Sequence, residues 1–266
     1  MDKELKNYGY DEVLQEVKAY ILGDGNVPFI PYQPDGNWEP YLPKYEAQAQ
    51  YFETYCCTVF GTENCVETLH KRLYGEEPNY SDRFTSIRSG LTGNAGTDPQ
   101  IPCESIRHDG LVNQEVMPMT TDKDEFFDSD RITDSILAKG QNWLYKHDFR
   151  HEWVWRGSRP GNYMELLKES LKTSPLGVSV CAWYEENGVF VSKGDGNNHW
   201  CMLYKIDDEG YPWVFDSYDH SKKRLSRDHN IRRAKRFHLQ TRTKPAMKLH
   251  IKILQIVLDF LSQKKT

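Results

Sequence analysis

Residues 50–60 read Gln-Tyr-Phe-Glu-Thr-Tyr-Cys-Cys-Thr-Val-Phe and lead directly into a helical pattern. From about 55 to 73 apolar residues recur at helical spacing, and Gly75 follows as a stop signal. A thiol in the first turn of a helix lies at the positive end of the helix dipole, which favours the thiolate. Cys57 stands at that place, so the segment predicts a nucleophilic cysteine.

A nucleophilic thiol needs a base, and the base needs a group that fixes its tautomer and orientation. His199 opens one strand pattern, and Asp216 ends another 17 residues later. The turn at 207–210, Asp-Asp-Glu-Gly, would join these strands as antiparallel neighbours and bring their outer ends together. Of the nine histidines, His199 is the one with a carboxylate at this hairpin spacing.

The predicted elements change type along the chain. Periodicity predicts helices over 11–22, 55–73, 130–147 and 162–173, and strands over 177–184, 189–192, 199–206 and 212–216. Residues 75–130 are rich in turn signals, and the prolines within 24–50 indicate an extended surface segment. A mainly helical first half and a mainly strand second half indicate an α+β fold with two lobes.

At these residues the chain resembles papain-like cysteine peptidases. The motif Cys57-Thr-Val-Phe60 is similar to the family's nucleophile segment, Asn198-His199 to its base, and Asp216-Ser217-Tyr218 to its orienting Asn and the two residues after it. Cys57 and His199 are 142 residues apart, inside the roughly 130–150 that is typical of the papain type. The resemblance is closest to divergent papain-like proteins of bacteria and their phages, through Asn79-Tyr-Ser-Asp-Arg83, Gly93-Asn94 and Gly110-Leu-Val112.

The resemblance implies a catalytic set of Cys57, His199 and Asp216, with Gln50 as the oxyanion-hole glutamine. Gln48 is the alternative to Gln50, because both precede the helix. Thr54 and Phe60 favour Cys57 as the nucleophile, with Cys56 as the alternative. The chain departs from the family pattern in having Asp216 where Asn is commoner, and Trp200 where a small residue usually follows the histidine.

The implied organisation is a papain-like, two-lobe domain between two extensions. Residues 1–37 form the N-terminal extension, and 38–240 form the peptidase domain. Within that domain a helical left lobe (about 50–173) carries the Cys57 helix and a β-rich right lobe (about 174–240) carries His199. Residues 241–266 form a basic C-terminal extension, with an amphipathic helix predicted over 246–262.

The function that follows is hydrolysis of peptide or isopeptide bonds in a peptide or protein substrate, without a cofactor. No CxxC pair or zinc-module spacing occurs among the six cysteines. The same triad would also serve an amidase or a transglutaminase-like acyl transferase. The non-enzyme alternative is a catalytically quiet structural protein of virion type that keeps the fold.

Charge and hydropathy give expectations about partners and location. Residues 222–266 hold 14 of the 34 Lys and Arg but only 2 of the 39 Asp and Glu. The basic 222–252 segment would therefore bind an anionic partner or pack on the acidic body of the protein. The 246–262 helix would dock on the body, on a second copy or partner, or on a membrane surface. The charged N-terminus lacks a signal-peptide pattern and no transmembrane segment is predicted, so a cytoplasmic or virion-associated protein of a bacterium or phage is expected.

Overall fold

The computed structural model describes residues 6–10, 30–44, 47–194, 196–219 and 221–242. The helices predicted over 11–22 and 246–262 lie outside these residues, as does most of the C-terminal extension. None of the helices in the described part of the chain has the length and apolar character that a bilayer span requires.

Helices and strands alternate in blocks along the chain. The helices are α1 (Cys57–Tyr74), α2 (Asp82–Arg88), α3 (Gln100–Asp109), α4 (Lys123–Phe126), α5 (Asp134–Lys146) and α6 (Tyr163–Leu171), with short 3-10 helices at Glu39–Tyr41 and Ser129–Arg131. The strands are β1 (His147–Trp155), β2 (Leu176–Val180), β3 (Glu185–Glu186), β4 (Val189–Phe190), β5 (His199–Ile206), β6 (Pro212–Asp216), β7 (Ser221–Arg224) and β8 (Ala234–Thr241). The architecture is α+β, as the sequence predicts.

Helix α1 is the central element of the helical part. It begins at Cys57, after Cys56 as N-cap, and ends at Gly75, whose left-handed φ of 72° lets its N–H bond the Lys71 carbonyl. Every residue from Cys57 to His70 is buried, so α1 is surrounded by protein over most of its length. Its placement therefore depends on packing on several sides rather than on one amphipathic face.

The strands form a six-stranded antiparallel sheet in the order β1-β8-β2-β5-β6-β7, and β3 pairs with β4 separately. The predicted strands over 199–206 and 212–216 are confirmed as β5 and β6. Strands β1, β7 and β8 were not predicted, and neither were α2, α3 and α4 within the segment expected to be turns. Strand β1 falls in the range assigned to the helical lobe, yet it pairs with β8 along its length.

One large side chain determines how closely α1 approaches the sheet. Trp200 on β5 is fully buried, and its indole lies against two glycines. A Cβ at Gly61 of α1 would come within 2.9 Å of the Trp200 ring, and one at Gly177 of β2 within 2.3 Å. The Trp200 ring therefore points into the core, between α1 and β2, and the two small residues make room for it.

Candidate active site

His199 and Asp216 meet at the adjoining ends of β5 and β6. These strands are antiparallel neighbours, with Met202 opposite Phe215. The turn between them is closed by the Gly210 N–H, which donates to the Asp207 carbonyl at 2.8 Å. His199 Nε2 lies 2.7 Å from Asp216 Oδ1, and both side chains are completely buried. The hairpin brings the two residues together as the sequence spacing predicts.

The carboxylate decides which nitrogen of His199 carries the proton. Burial alone would raise the pKa of Asp216, but His199 and the Lys223 ammonium outweigh it and hold that pKa well below the usual value. An ionised carboxylate only accepts hydrogen bonds, so Nε2 donates and Nδ1 presents a lone pair. Nδ1 is buried and has no hydrogen-bond partner among the described residues. This nitrogen is the one available to accept a proton.

Lys223 is a member of the site that the sequence did not single out. Its Nζ lies 2.8 Å from Asp216 Oδ2, and its side chain is only 2% exposed. It also bonds the side chains of Asp219 and Ser221. Asp216 thus binds His199 with one oxygen and Lys223 with the other. In the sequence Lys223 stands in a Lys-Lys-Arg run, which reads as a solvated surface rather than a buried cation.

Cys57 lies beside the start of β5, where it packs in one buried cluster with Trp200, the residue after His199. The backbone of Trp200 favours the thiolate form of Cys57 and acts to lower its pKa. The thiol is fully buried, and burial outweighs this effect and raises the pKa of Cys57 well above the ordinary value. The Cys56 side chain points elsewhere: its Sγ donates to the Thr54 carbonyl at 3.3 Å, within a cluster that includes Phe60.

The two candidate glutamines have different surroundings. Gln50 is exposed, with its backbone N–H bonded to Ala47, and it is not brought to the His199–Asp216 pair. Gln48 is fully buried and is fixed to Ser217, the residue after Asp216, by two hydrogen bonds. Its N–H donates to the Ser217 carbonyl at 3.0 Å, and its Oε1 accepts from the Ser217 hydroxyl at 3.1 Å. The amide Nε2 of Gln48 is thereby directed into the site.

Asn198, the residue before His199, holds two neighbouring segments together through its side chain. Its Oδ1 accepts from the Ala182 N–H at 2.7 Å, and its Nδ2 donates to the Ala182 carbonyl at 3.0 Å. These bonds fix the chain that enters β5 immediately before His199. The ring of Trp183 packs edge-on against His199, with centroids 5.5 Å apart, and covers one side of the imidazole.

The fold of this chain is similar to that of solved cysteine proteases. The Amb a 11 cysteine protease of ragweed pollen, in its proform, superposes with a TM-score of 0.54 at 15% identity, over 75% of this chain and 64% of that one. Digestive procathepsin L 3 of Tenebrio molitor gives 0.54 at 14% identity, over 80% and 74%. Bromelain of Ananas comosus, in complex with the E64 inhibitor, gives 0.54 at 17% identity, over 77% and 98%. The fold is papain-like.

The likeness is one of three-dimensional structure. No protein-family model and no curated protein sequence matches the chain. The chain spans less than two thirds of the length of the ragweed proform. Among the residues that the structure describes, no group of three or more His, Cys, Asp or Glu side chains is arranged to hold a metal ion.

Proposed function

We propose that this protein is a cysteine-dependent hydrolase of peptide or isopeptide bonds, with Cys57 as nucleophile, His199 as base and Asp216 as orienting group. The observation that carries the proposal is the state of the imidazole. Its Nε2 is held by Asp216 at 2.7 Å, its Nδ1 has no hydrogen-bond partner in the described part of the chain, and the next residue, Trp200, packs against Cys57. A base with a free lone pair thus stands beside a cysteine at a helix start.

The raised pKa of Cys57 means that the thiol is protonated in this buried arrangement. Attack on a carbonyl carbon therefore begins with transfer of the thiol proton to His199 Nδ1. The imidazolium that forms is stabilised by the Asp216 carboxylate. It then protonates the leaving amine, and a water molecule hydrolyses the thioester by the same proton transfers in reverse.

The oxyanion that forms on the substrate needs hydrogen-bond donors aimed at it. We assign this role to the Nε2 of Gln48 and the backbone N–H of Cys57. Gln48 is supported over Gln50 because it is buried and fixed to Ser217, whereas Gln50 is exposed. Removal of one such donor costs about 100- to 1,000-fold in rate, so Gln48→Ala should lose that much and Gln50→Ala almost nothing.

The adjacent cysteines provide a matched test of the nucleophile. Cys57→Ala should abolish hydrolysis of a peptide library and labelling by a thiol-reactive epoxide, whereas Cys56→Ala should retain both. Labelling is measured by mass spectrometry with the modified residue mapped. The backbone of Tyr8 is hydrogen-bonded to Asn198 and Gln48 and so lies over the site. Because it can hide the thiol, both assays are also run on a shortened protein that begins at Gly9. Equal hydrolysis by the Cys57→Ala protein, or no labelling in either form, would rule out the proposed function.

A further inference from the structure

The five residues Lys6–Tyr10 lie across the candidate active site. The N–H of Tyr8 donates to the carbonyl of Asn198 at 3.0 Å, and the carbonyl of Tyr8 accepts from Gln48 Nε2 at 3.1 Å. Both backbone groups of Tyr8 are therefore bound by the site. The N–H is bound by Asn198, the residue before the proposed base, and the carbonyl by the side-chain amide of Gln48, to which we assign the oxyanion. A peptide held in this way presents its carbonyl carbon to the nucleophile.

Further contacts hold the ring of Tyr8 and, on its amino side, Lys6. The Tyr8 ring packs edge-on against His199 with centroids 5.0 Å apart, and against Tyr218 at 4.6 Å. The carbonyl of Lys6 accepts from Asn198 Nδ2 at 2.6 Å, and the Lys6 ammonium pairs with Glu53 at 2.9 Å. The residue bound at the site is thus recognised by its aromatic side chain as well as by its backbone.

Gly9 and Tyr10 fix the chain on the carboxyl side. Gly9 has a φ of 104°, and a Cβ there would lie 2.0 Å from the carbonyl oxygen of Tyr55. Its own carbonyl accepts from the N–H of Thr97 at 3.1 Å. Tyr10 is buried in the same cluster as Cys57, with its ring parallel to that of Trp200. A glycine is required after Tyr8 because the passage beside Tyr55 has no room for a side chain.

We propose that the segment Lys6–Tyr10 is a substrate of this site, and that the enzyme cuts its own chain between Tyr8 and Gly9. The inference rests on the proposed function and adds a substrate class to it: an aromatic residue followed by glycine. The segment also contributes to the complete burial of Gln48 and His199, which Tyr8 contacts, and of Cys57, which shares a cluster with Tyr10. The cleft opens to other substrates when the part of the chain that ends at Tyr8 leaves.

The reaction follows the atoms in place. The Cys57 sulfur bonds to the Tyr8 carbonyl carbon while its proton passes to His199, and Gln48 Nε2 donates to the oxygen that becomes negative. The C–N bond to Gly9 breaks, and the Gly9 nitrogen takes the proton from His199 to leave as an amine. Water then attacks the thioester, giving a Tyr8 carboxylate and restoring the Cys57 thiol.

Intact-mass spectrometry and N-terminal sequencing of the purified full chain test the cut. The wild type should lose everything up to Tyr8 and begin at Gly9, whereas Cys57→Ala should stay intact. Gly9→Ala should slow the cleavage about 100-fold, since displacement of the reacting carbonyl by an ångström costs this much. Gly157→Ala is the matched control: its φ of 98° carries the same backbone strain, but nothing lies within 4 Å of an added Cβ. It should cleave within two-fold of the wild-type rate.

The outcomes separate this proposal from the function on which it rests. A wild-type chain that stays intact, while the variant beginning at Gly9 hydrolyses added peptides, would make the segment a blocking strap and overturn self-cleavage alone. Cleavage at a different bond, or equal cleavage in the Gly9→Ala and Gly157→Ala proteins, would overturn the assignment of Tyr8 and Gly9. If the shortened protein that begins at Gly9 neither hydrolyses peptides nor reacts with an epoxide, the proposed function is refuted as well.

Discussion

The substitution Asp216→Asn is informative because Asn is the residue that papain-like enzymes more often have at this position. In this protein the carboxylate binds His199 with one oxygen and the buried Lys223 with the other. An amide has one oxygen and one NH₂ group. Asp216 Oδ1 also accepts from the Tyr218 N–H at 3.0 Å. The Lys223 ammonium can only donate, and a hydrogen bond to a charged donor is stronger than one to a neutral N–H. The amide oxygen of the variant should therefore turn to Lys223 and the NH₂ group to His199 Nε2. The imidazole proton is then forced onto Nδ1, where it blocks the base.

The magnitudes follow from that geometry. A wrong histidine tautomer in a related triad costs about 10⁴ in rate, and we expect a loss of that order in Asp216→Asn. Removing one partner of a buried ion pair costs about 3–5 kcal/mol of stability. Asp219 and Ser221 still bond Lys223, so the lower end, about 3 kcal/mol, is expected.

The second substitution, Lys223→Met, should reverse both effects. With the ammonium gone, the amide oxygen is free to accept from Nε2 and Nδ1 regains its lone pair. The Asp216→Asn/Lys223→Met protein should recover most of the rate and unfold within about 1 kcal/mol of wild type. Peptide hydrolysis measures the rate and urea unfolding measures the stability of the wild type, the two single variants and the double variant. If the double variant is as slow and as unstable as Asp216→Asn alone, the role given to Lys223 is wrong.

Three further predictions concern packing and titration. Gly61→Ala should lose about 1–3 kcal/mol of unfolding free energy in urea, because its Cβ would lie 2.9 Å from the Trp200 ring. The exposed Gly161, where an added Cβ would meet nothing within 4 Å, is the comparison, and equal losses in Gly161→Ala would contradict the packing argument. Burial lowers the pKa of Lys235 to about 8. Between pH 8 and 10.5 the unfolded chain therefore binds more protons than the folded one. As the pH rises through that range, the free energy of unfolding of the wild type should increase by about 3 kcal/mol relative to that of Lys235→Met. Burial lowers the pKa of His229 to about 4, so the wild type should lose stability as the pH drops from 6.5 to 4, and His229→Asn should lose less. Thermal melts measure both titrations across pH. A variant whose pH profile runs parallel to that of the wild type would refute the corresponding prediction.

The sequence predicted the elements whose signals are local. Helix α1 was predicted because apolar spacing and Gly75 lie within one segment, and the meeting of His199 with Asp216 because one hairpin joins them. Strands β1 and β8 were missed because their buried residues include charges. Glu152 on β1 pairs with Arg236 on β8, and both are buried, so the polar-apolar alternation that marks a strand is hidden.

Residues whose roles depend on distant contacts could not be predicted. Gln48 and Gln50 differ by two positions, and only contact with Ser217 distinguishes them. Tyr8 reaches the site from far away in the chain, and no local pattern signals it. The basic segment shows the same limit: Arg233 is buried and paired with Asp98 at 2.8 Å, so this part of it neutralises the acidic body. An anionic partner for the rest of that segment stays a prediction.

All six cysteines are buried and unpaired, which has a consequence for chemical durability. Thiols are oxidised or alkylated according to their exposure and their thiolate fraction. While Lys6–Tyr10 covers the site, the Cys57 thiol is shielded and protonated, so peroxide at concentrations that damage an open thiol enzyme should leave it intact. The vulnerable period begins when the segment leaves, so only the uncleaved chain should withstand storage in an oxidising medium without loss of its nucleophile.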